Sequence, residues 1–226
     1  MSRQQTRNEG GEKAAEQGTL SLELIHVTLR KFGVEVPDSM GPQIMEYIDL
    51  LTRWNQKISL TSVTEPALLL ERHFGESLFG AISAGIESGS LLDVGSGAGF
   101  PSLPIALFCP KVTETLLEPN GKKTAFLWEV CRSLALATRV TIVRSRLEDF
   151  SPSTKYSFIT SRAVAVSEQF LEHCARLLES NGKLVLWLAE NEVKSAEQNS
   201  LWSWNPPIKI PGSDRRFVFS GKPKAK

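Results

Sequence analysis

Leu91-Leu92-Asp93-Val94-Gly95-Ser96-Gly97-Ala98-Gly99-Phe100 is an apolar run of strand type that ends in an acid and then places glycine at three alternate positions. A helix-compatible segment, Pro104-Ile105-Ala106-Leu107-Phe108, follows at once. Glycine adopts positive φ without strain and lets a ligand approach the backbone with no Cβ in the way. A strand, a glycine loop and a helix in that order grip nucleotide-like ligands at the carboxyl edge of a parallel sheet. The competing reading is a tight turn with no ligand. The dinucleotide fingerprint is G-x-G-x-x-G, whereas here the third glycine comes one residue early and Pro101 follows Phe100.

Strand and helix patterns alternate outward from this loop. Strands are expected at 91–94, 113–117, 140–143, 157–160 and 184–188, and helices at 101–108, 122–136 and 167–178. Such alternation implies an α/β fold, a parallel sheet wound with right-handed crossovers. Residues 208–210 and 217–219 should close one edge as an antiparallel hairpin. Upstream, Ile44, Tyr47, Ile48, Leu51 and Trp54 recur at three- and four-residue steps after Pro42, one buried helical stripe. A shorter amphipathic helix precedes it and closes near Gly33, and a third is expected over 65–79 with Pro66 in its first turn. The expected organisation is a disordered lead-in over 1–18 and a single domain over 19–226. That domain divides into a helical cap at 19–88, a Rossmann-like core at 89–220 and a basic tail at 221–226, with Gly85, Gly89 and Ser90 as the hinge.

A chain of 226 residues is long enough for one domain with a sizeable core. The formal net charge of +1 excludes a polycation, yet from Lys209 onward six Lys or Arg stand against one Asp. Cys109, Cys131 and Cys174 show no metal-ligand spacing and read as reduced core thiols, so no metal is expected. The first 18 residues carry no apolar signal region and no 18 apolar residues run together, so a cytoplasmic protein, with no membrane partner, is expected.

Asp93, Gly95, Gly97 and Gly99 form the first wall of the expected site. Glu118 closes the second strand, 19 residues beyond Gly99, where a carboxylate can accept both hydroxyls of a ribose. The loop Arg146-Leu147-Glu148-Asp149 should pack along an adenine. Ser161-Arg162-Ala163 follows the fourth strand, with Arg162 either at the reacting group or in a core-edge ion pair. G-x-G-x-G with an acid two residues ahead resembles the S-adenosylmethionine site of Rossmann-like methyltransferases. Acids around the site suit a sulfonium and would repel a pyrophosphate, which argues against NAD. Neither a proton acceptor for hydroxyl or amine methylation nor a cysteine nucleophile for pyrimidine carbon-5 is evident. Guanine N7 carries an exposed in-plane lone pair, so an in-line transfer to it needs alignment and no base.

Several motifs in order resemble the small-subunit ribosomal RNA guanine-N7 methyltransferase G family, also called glucose-inhibited division protein B. They are Trp54-Asn55 with Leu60-Thr61, Arg72-His73 with Ser77, Asp93 to Pro104, Gly121-Lys122-Lys123 with Phe126-Leu127, Ser145-Arg146-Leu147-Glu148, and Ser161-Arg162-Ala163. The resemblance spans about Leu50 to Phe219. It implies S-adenosyl-L-methionine as cofactor, with contacts at Gly95, Phe100, Leu147, Glu148 and Arg162. It also implies methylation of a guanine near the decoding centre of small-subunit rRNA. Ser59, Glu76, Phe100 and Glu118 depart from the family's usual Asn, Asp, Leu and Asp.

RNA phosphates should be met by Lys122, Lys123, Arg146, Arg162, Arg215 and Arg216, with Arg72 and His73 joining the patch. His73 reads equally as a core-edge hydrogen bonder. The target base must leave its stack to be reached, and Phe100 offers a stacking surface. A monomer acting on a ribosomal particle is expected. The competing readings are a methyltransferase of small molecules or proteins, and a non-catalytic RNA-binding assembly factor.

Overall fold

The computed structural model describes residues 20–162 and 164–224. The lead-in expected over 1–18, Ala163 and the last two positions of the expected tail lie outside the described residues.

Helix α1 (Leu22–Arg30) starts where the Ser21 hydroxyl accepts the Leu24 amide at 3.1 Å. Helix α2 (Gly41–Asn55) carries Pro42 in its first turn and buries Ile44, Tyr47, Ile48 and Leu51 along one stripe. The third expected helix is longer than its pattern suggested. It runs as α3 (Pro66–Leu69), a π-helical turn (Leu70–Gly75) and α4 (Glu76–Ala84). Glu65 caps it by accepting the Ala67 and Leu68 amides at 2.9 and 2.8 Å. Gly85, at φ +72°, ends it. Gly89 and Ser90 are not hinge residues: they pair with Val112 and Thr113 inside the sheet.

The sheet consists of β1 (Ser88–Val94), β2 (Lys111–Leu117), β3 (Val140–Val143), β4 (Tyr156–Arg162), β5 (Leu178–Ala189), β6 (Trp202–Trp204), β7 (Ile208–Lys209) and β8 (Arg216–Pro223). Its order is β3-β2-β1-β4-β5-β8-β6, with β7 also on β8. β1 to β5 are parallel, and β8 runs antiparallel to β5, β6 and β7. The crossovers contain α5 (Ser102–Phe108), α6 (Gly121–Ser133) and α7 (Glu168–Leu177). β1 runs outward to β2 and β3 on one side and to β4 on the other, so the strand order reverses at the carboxyl end of β1, where ligands of such sheets sit.

The closing edge is richer than a hairpin. Helix α8 (Glu190–Glu197) and β6 precede it, and Pro206-Pro207 turn the chain between β6 and β7. Both were invisible because α8 is polar and β6 has only three residues. Gly221–Pro223 are strand rather than tail, since they pair with Trp202, Ser203 and Trp204. The three cysteines are buried.

The cap packs on the sheet face that carries α5 and α6. One apolar cluster joins Ile25, Tyr47, Leu51 and Phe74 of the cap to Leu91, Phe100, Leu103 and Phe126 of the core. The opposite face buries Leu92, Leu117, Ile159, Phe170 and Phe219. Among the described residues no helix is long and apolar enough to cross a membrane.

Candidate active site

The glycine loop is held from three directions. Glu118, just past β2, accepts the Gly97 amide on Oε2 at 2.9 Å and the Asn120 amide on Oε1 at 2.8 Å. The Ser96 hydroxyl donates to the Asp93 carbonyl at 3.1 Å. From the cap, the fully buried Tyr47 donates its hydroxyl to the Ala98 carbonyl at 2.6 Å.

The three glycines serve different ends. Gly95, at φ +74°, packs so close to Val164 that a Cβ would lie 2.6 Å from its methyl. Gly97, at φ +56°, faces open space, with only the Gly95 carbonyl oxygen near, at 3.8 Å. Gly99, at φ +88°, leaves room for the Tyr47 hydroxyl and Leu103, which a side chain would overlap.

A cavity of about 200 Å³ opens over Val94 and Gly95. Its walls come from Leu117 at the end of β2 and Pro119 beyond it, Ser145 to Glu148 after β3, and Val164, Ala165, Ser167, Gln169 and Phe170 after β4. Leu147 is buried in that wall and Glu148 is exposed beside it. A nucleoside carrying a sulfonium fits this donor set. Gly97 leaves open space in front of the loop, and each Glu118 oxygen accepts one amide and keeps a lone pair for a hydroxyl.

Asp93 stands behind the loop, 1% exposed, with Oδ1 accepting from the Thr160 hydroxyl at 2.8 Å. Among the described residues Oδ2 has no hydrogen-bond partner. Burial pushes the carboxyl up to about 6, and the Thr160 bond opposes the shift. Glu114 of β2 lies deeper on the same face. Both its oxygens are buried without a partner among the described residues, and burial holds it well above the usual carboxylate range. Nothing in the pattern of β2 announced it.

Arg162 ends β4, but its guanidinium turns toward the cap. Nη2 pairs with Glu76 Oε2 at 3.0 Å and Nη1 donates to the Arg72 carbonyl at 3.0 Å. The second Glu76 oxygen pairs with Arg216 at 2.7 Å, and Trp187 Nε1 donates to the Glu76 carbonyl at 2.8 Å. Of the two readings of Arg162, the ion pair is the one formed. One buried carboxylate thus joins α4, β4 and β8 between two cations. Arg216 is a partner in this cluster rather than a free phosphate contact, and neighbouring Arg215 is exposed.

Two further expectations are corrected. His73 is no phosphate-binding cation: Nε2 meets the Thr61 hydroxyl at 2.8 Å, and burial, with Arg162 and Arg72 nearby, lowers its pKa to about 3. Phe100 is no open stacking surface, because its ring lies parallel between Tyr47 (5.2 Å) and His73 (4.5 Å). Arg146 is exposed and lines the cavity, while Lys122 is exposed and Lys123 half-buried at the start of α6. Missed altogether were Tyr47 and Glu76. The helical stripe marks Tyr47 only as a core residue, and nothing in the local pattern around Glu76 signals its two arginine partners.

The family model described as rRNA small subunit methyltransferase G matches residues 40–204. The protein named ribosomal RNA small subunit methyltransferase G from Alkalilimnicola ehrlichii is 32% identical over 194 residues, 84% of this chain and 87% of the relative. Its namesake from Pseudomonas fluorescens is 36% identical over 169 residues, 75% of this chain and 76% of the relative. Among solved structures, a ribosomal protein L11 methylase from Lactobacillus delbrueckii subsp. bulgaricus superposes with a TM-score of 0.56 at 14% identity, covering 69% of this chain and 80% of that one. A SAM-dependent methyltransferase from Aquifex aeolicus superposes at 0.52 with 18% identity, covering 62% and 86%. At such identities the superpositions establish the fold alone.

Proposed function

The chain belongs to the rRNA small subunit methyltransferase G family, and on that premise we propose that it transfers a methyl group from S-adenosyl-L-methionine to N7 of a guanine in small-subunit ribosomal RNA. The observation that carries this reading is the loop at Gly95–Gly99, braced by Glu118 and by Tyr47 beside a cavity lined from β1, β2, β3 and β4. When bound, the cofactor supplies an electrophilic methyl on a positively charged sulfur.

The chain's own residues orient and enclose. Glu118 receives the ribose hydroxyls on its remaining lone pairs while keeping the loop amide at Gly97. Leu147 offers an apolar face to the adenine, and Glu148 and Arg146 border it. Asp93, with no partner at Oδ2 among the described residues, places acidic character behind the loop, which favours a cation in front. Arg162 acts as a positioning residue: it ties the end of β4 to the cap through Glu76 and Arg72, fixing the wall beside the reacting group.

N7 of guanine is unprotonated at neutral pH, so the transfer needs alignment and no proton acceptor. The state of His73 agrees, since a base lowered to about 3 and committed to Thr61 is ill suited to take a proton. Exposed Lys122, Arg144, Arg146 and Arg215 around the site suit RNA better than a small molecule.

Two measurements test this. Calorimetric titration should show one S-adenosyl-L-methionine bound per chain, and no binding would overturn the assignment. Cleavage mapping of N7-methylguanine in rRNA from a deletion strain should show one site lost and restored by complementation. An unchanged map would overturn the choice of atom and substrate.

A further inference from the structure

Two clefts outside the donor cavity lie side by side along α6. One, of about 680 Å³, runs between the end of α2 and the start of α6 and carries Arg53, Trp54, Lys57 and Lys122. The other, of about 460 Å³, continues along α6 past Trp128 and Arg132. They adjoin at Glu129 and together make up the α2–α6 groove. Four cations line it. The single acid in its walls, Glu129, is occupied by Trp54 Nε1 at 3.0 Å. Outside the walls, Asp49 pairs with Arg53 at 3.0 Å and Glu46 accepts from Ser133.

Trp128 projects from this face with 52% of its surface exposed. A half-exposed indole between cations is the arrangement that stacks on bases while the cations follow a phosphate backbone. The groove also begins at the site itself. Asn120 caps α6 through the Lys122 and Lys123 amides, and its own amide is held by Glu118.

We infer that this α2–α6 groove is a docking surface for a single-stranded segment of ribosomal RNA adjoining the target base, with Trp128 as its stacking platform. The inference rests on the function proposed above. A row of Lys and Arg beside a flat aromatic favours RNA over an acidic protein segment, which would not need the indole.

The test uses the full chain, small ribosomal subunits from a strain lacking the modification, and a short fluorescent single-stranded RNA. Trp128→Ala should raise KM for the particles about fivefold or more, the scale of one lost stacking contact. Trp128→Phe should recover most of that loss. The double substitution Lys57→Ala with Lys122→Ala should flatten the dependence of log K for the RNA on log salt by about 1.4, two contacts at about 0.7 each. Donor binding by calorimetry should stay as in the parent protein, because none of these side chains lines the donor cavity. All three are exposed, so the variants should fold, with melting temperatures near the parent's.

Unchanged KM and salt slope in variants that bind donor normally would overturn the inference. So would displacement of the labelled RNA by polyglutamate but not by unlabelled RNA, which would mark the face as a protein surface. If the parent protein itself transfers no methyl to the particles, the proposed function falls instead.

Discussion

Gly99 and Tyr47 fit one another across 52 residues of sequence: the glycine has no Cβ where the phenol hydroxyl reaches the Ala98 carbonyl. Tyr47→Phe keeps the ring stack on Phe100 and deletes one buried hydrogen bond, worth about 1 kcal/mol. Donor affinity measured by calorimetry should fall about fivefold, with kcat nearly unchanged. An equal loss in kcat would show that the hydroxyl acts on the transfer and not on loop placement. Gly99→Ala combines strain at positive φ with overlap on Tyr47 and should abolish measurable donor binding. His73 makes a pH prediction with a definite sign. Its folded pKa of about 3 lies below the ordinary 6.5, so the unfolded chain binds the proton more tightly. Its contribution to stability is complete above about pH 6.5 and is lost as pH falls toward about 3. The melting temperature should therefore drop between about pH 7 and about pH 5, and the drop should be shallower in His73→Gln. Asp93 titrates with the opposite sign: burial raises its folded pKa from 3.8 to about 6, so its contribution to stability is complete below the ordinary value and is lost as pH rises through about 6.

At the scale of elements, the helical run from Pro66 to Ala84 decides how the cap meets the sheet. Its π-helical turn at Leu70–Gly75 sets the Arg72 carbonyl toward Arg162, and α4 then begins with Glu76. π-turns of this kind recur at functional sites. A 3.6-residue pattern cannot reveal one, which is why the sequence suggested an ordinary helix. Glu76→Gln removes the charge that Arg162 and Arg216 share and leaves two cations partly buried. The expected cost is about 3–5 kcal/mol in denaturant unfolding. Arg216→Ala should cost less, since Arg162 keeps its partner and Arg216 is the more exposed of the two. Equal costs would show that the cluster acts through packing rather than charge. β8 makes this junction possible: it enters between β5 and β6 and brings Arg216, paired with Ala189, to the same end of the sheet as Arg162.

Across the whole molecule, cap and sheet share one apolar cluster from Ile25 to Val218. A single calorimetric unfolding transition is therefore expected for the described domain, and two separated transitions would refute a shared core. The sequence by itself determined the five parallel strands, the loop at Asp93–Gly99, the placement of Glu118 after β2 and the family. Strand periodicity, glycine spacing and an acid at a strand end are local patterns, set by backbone sterics and by alternation of side chains. Only the tertiary structure decided that Phe100 is enclosed, that His73 is neutral, that Arg162 turns to Glu76, and that Tyr47 reaches the glycine loop. Each of those depends on what a distant segment places beside the residue, because burial and pairing, not residue type, set the charge and reach of a side chain.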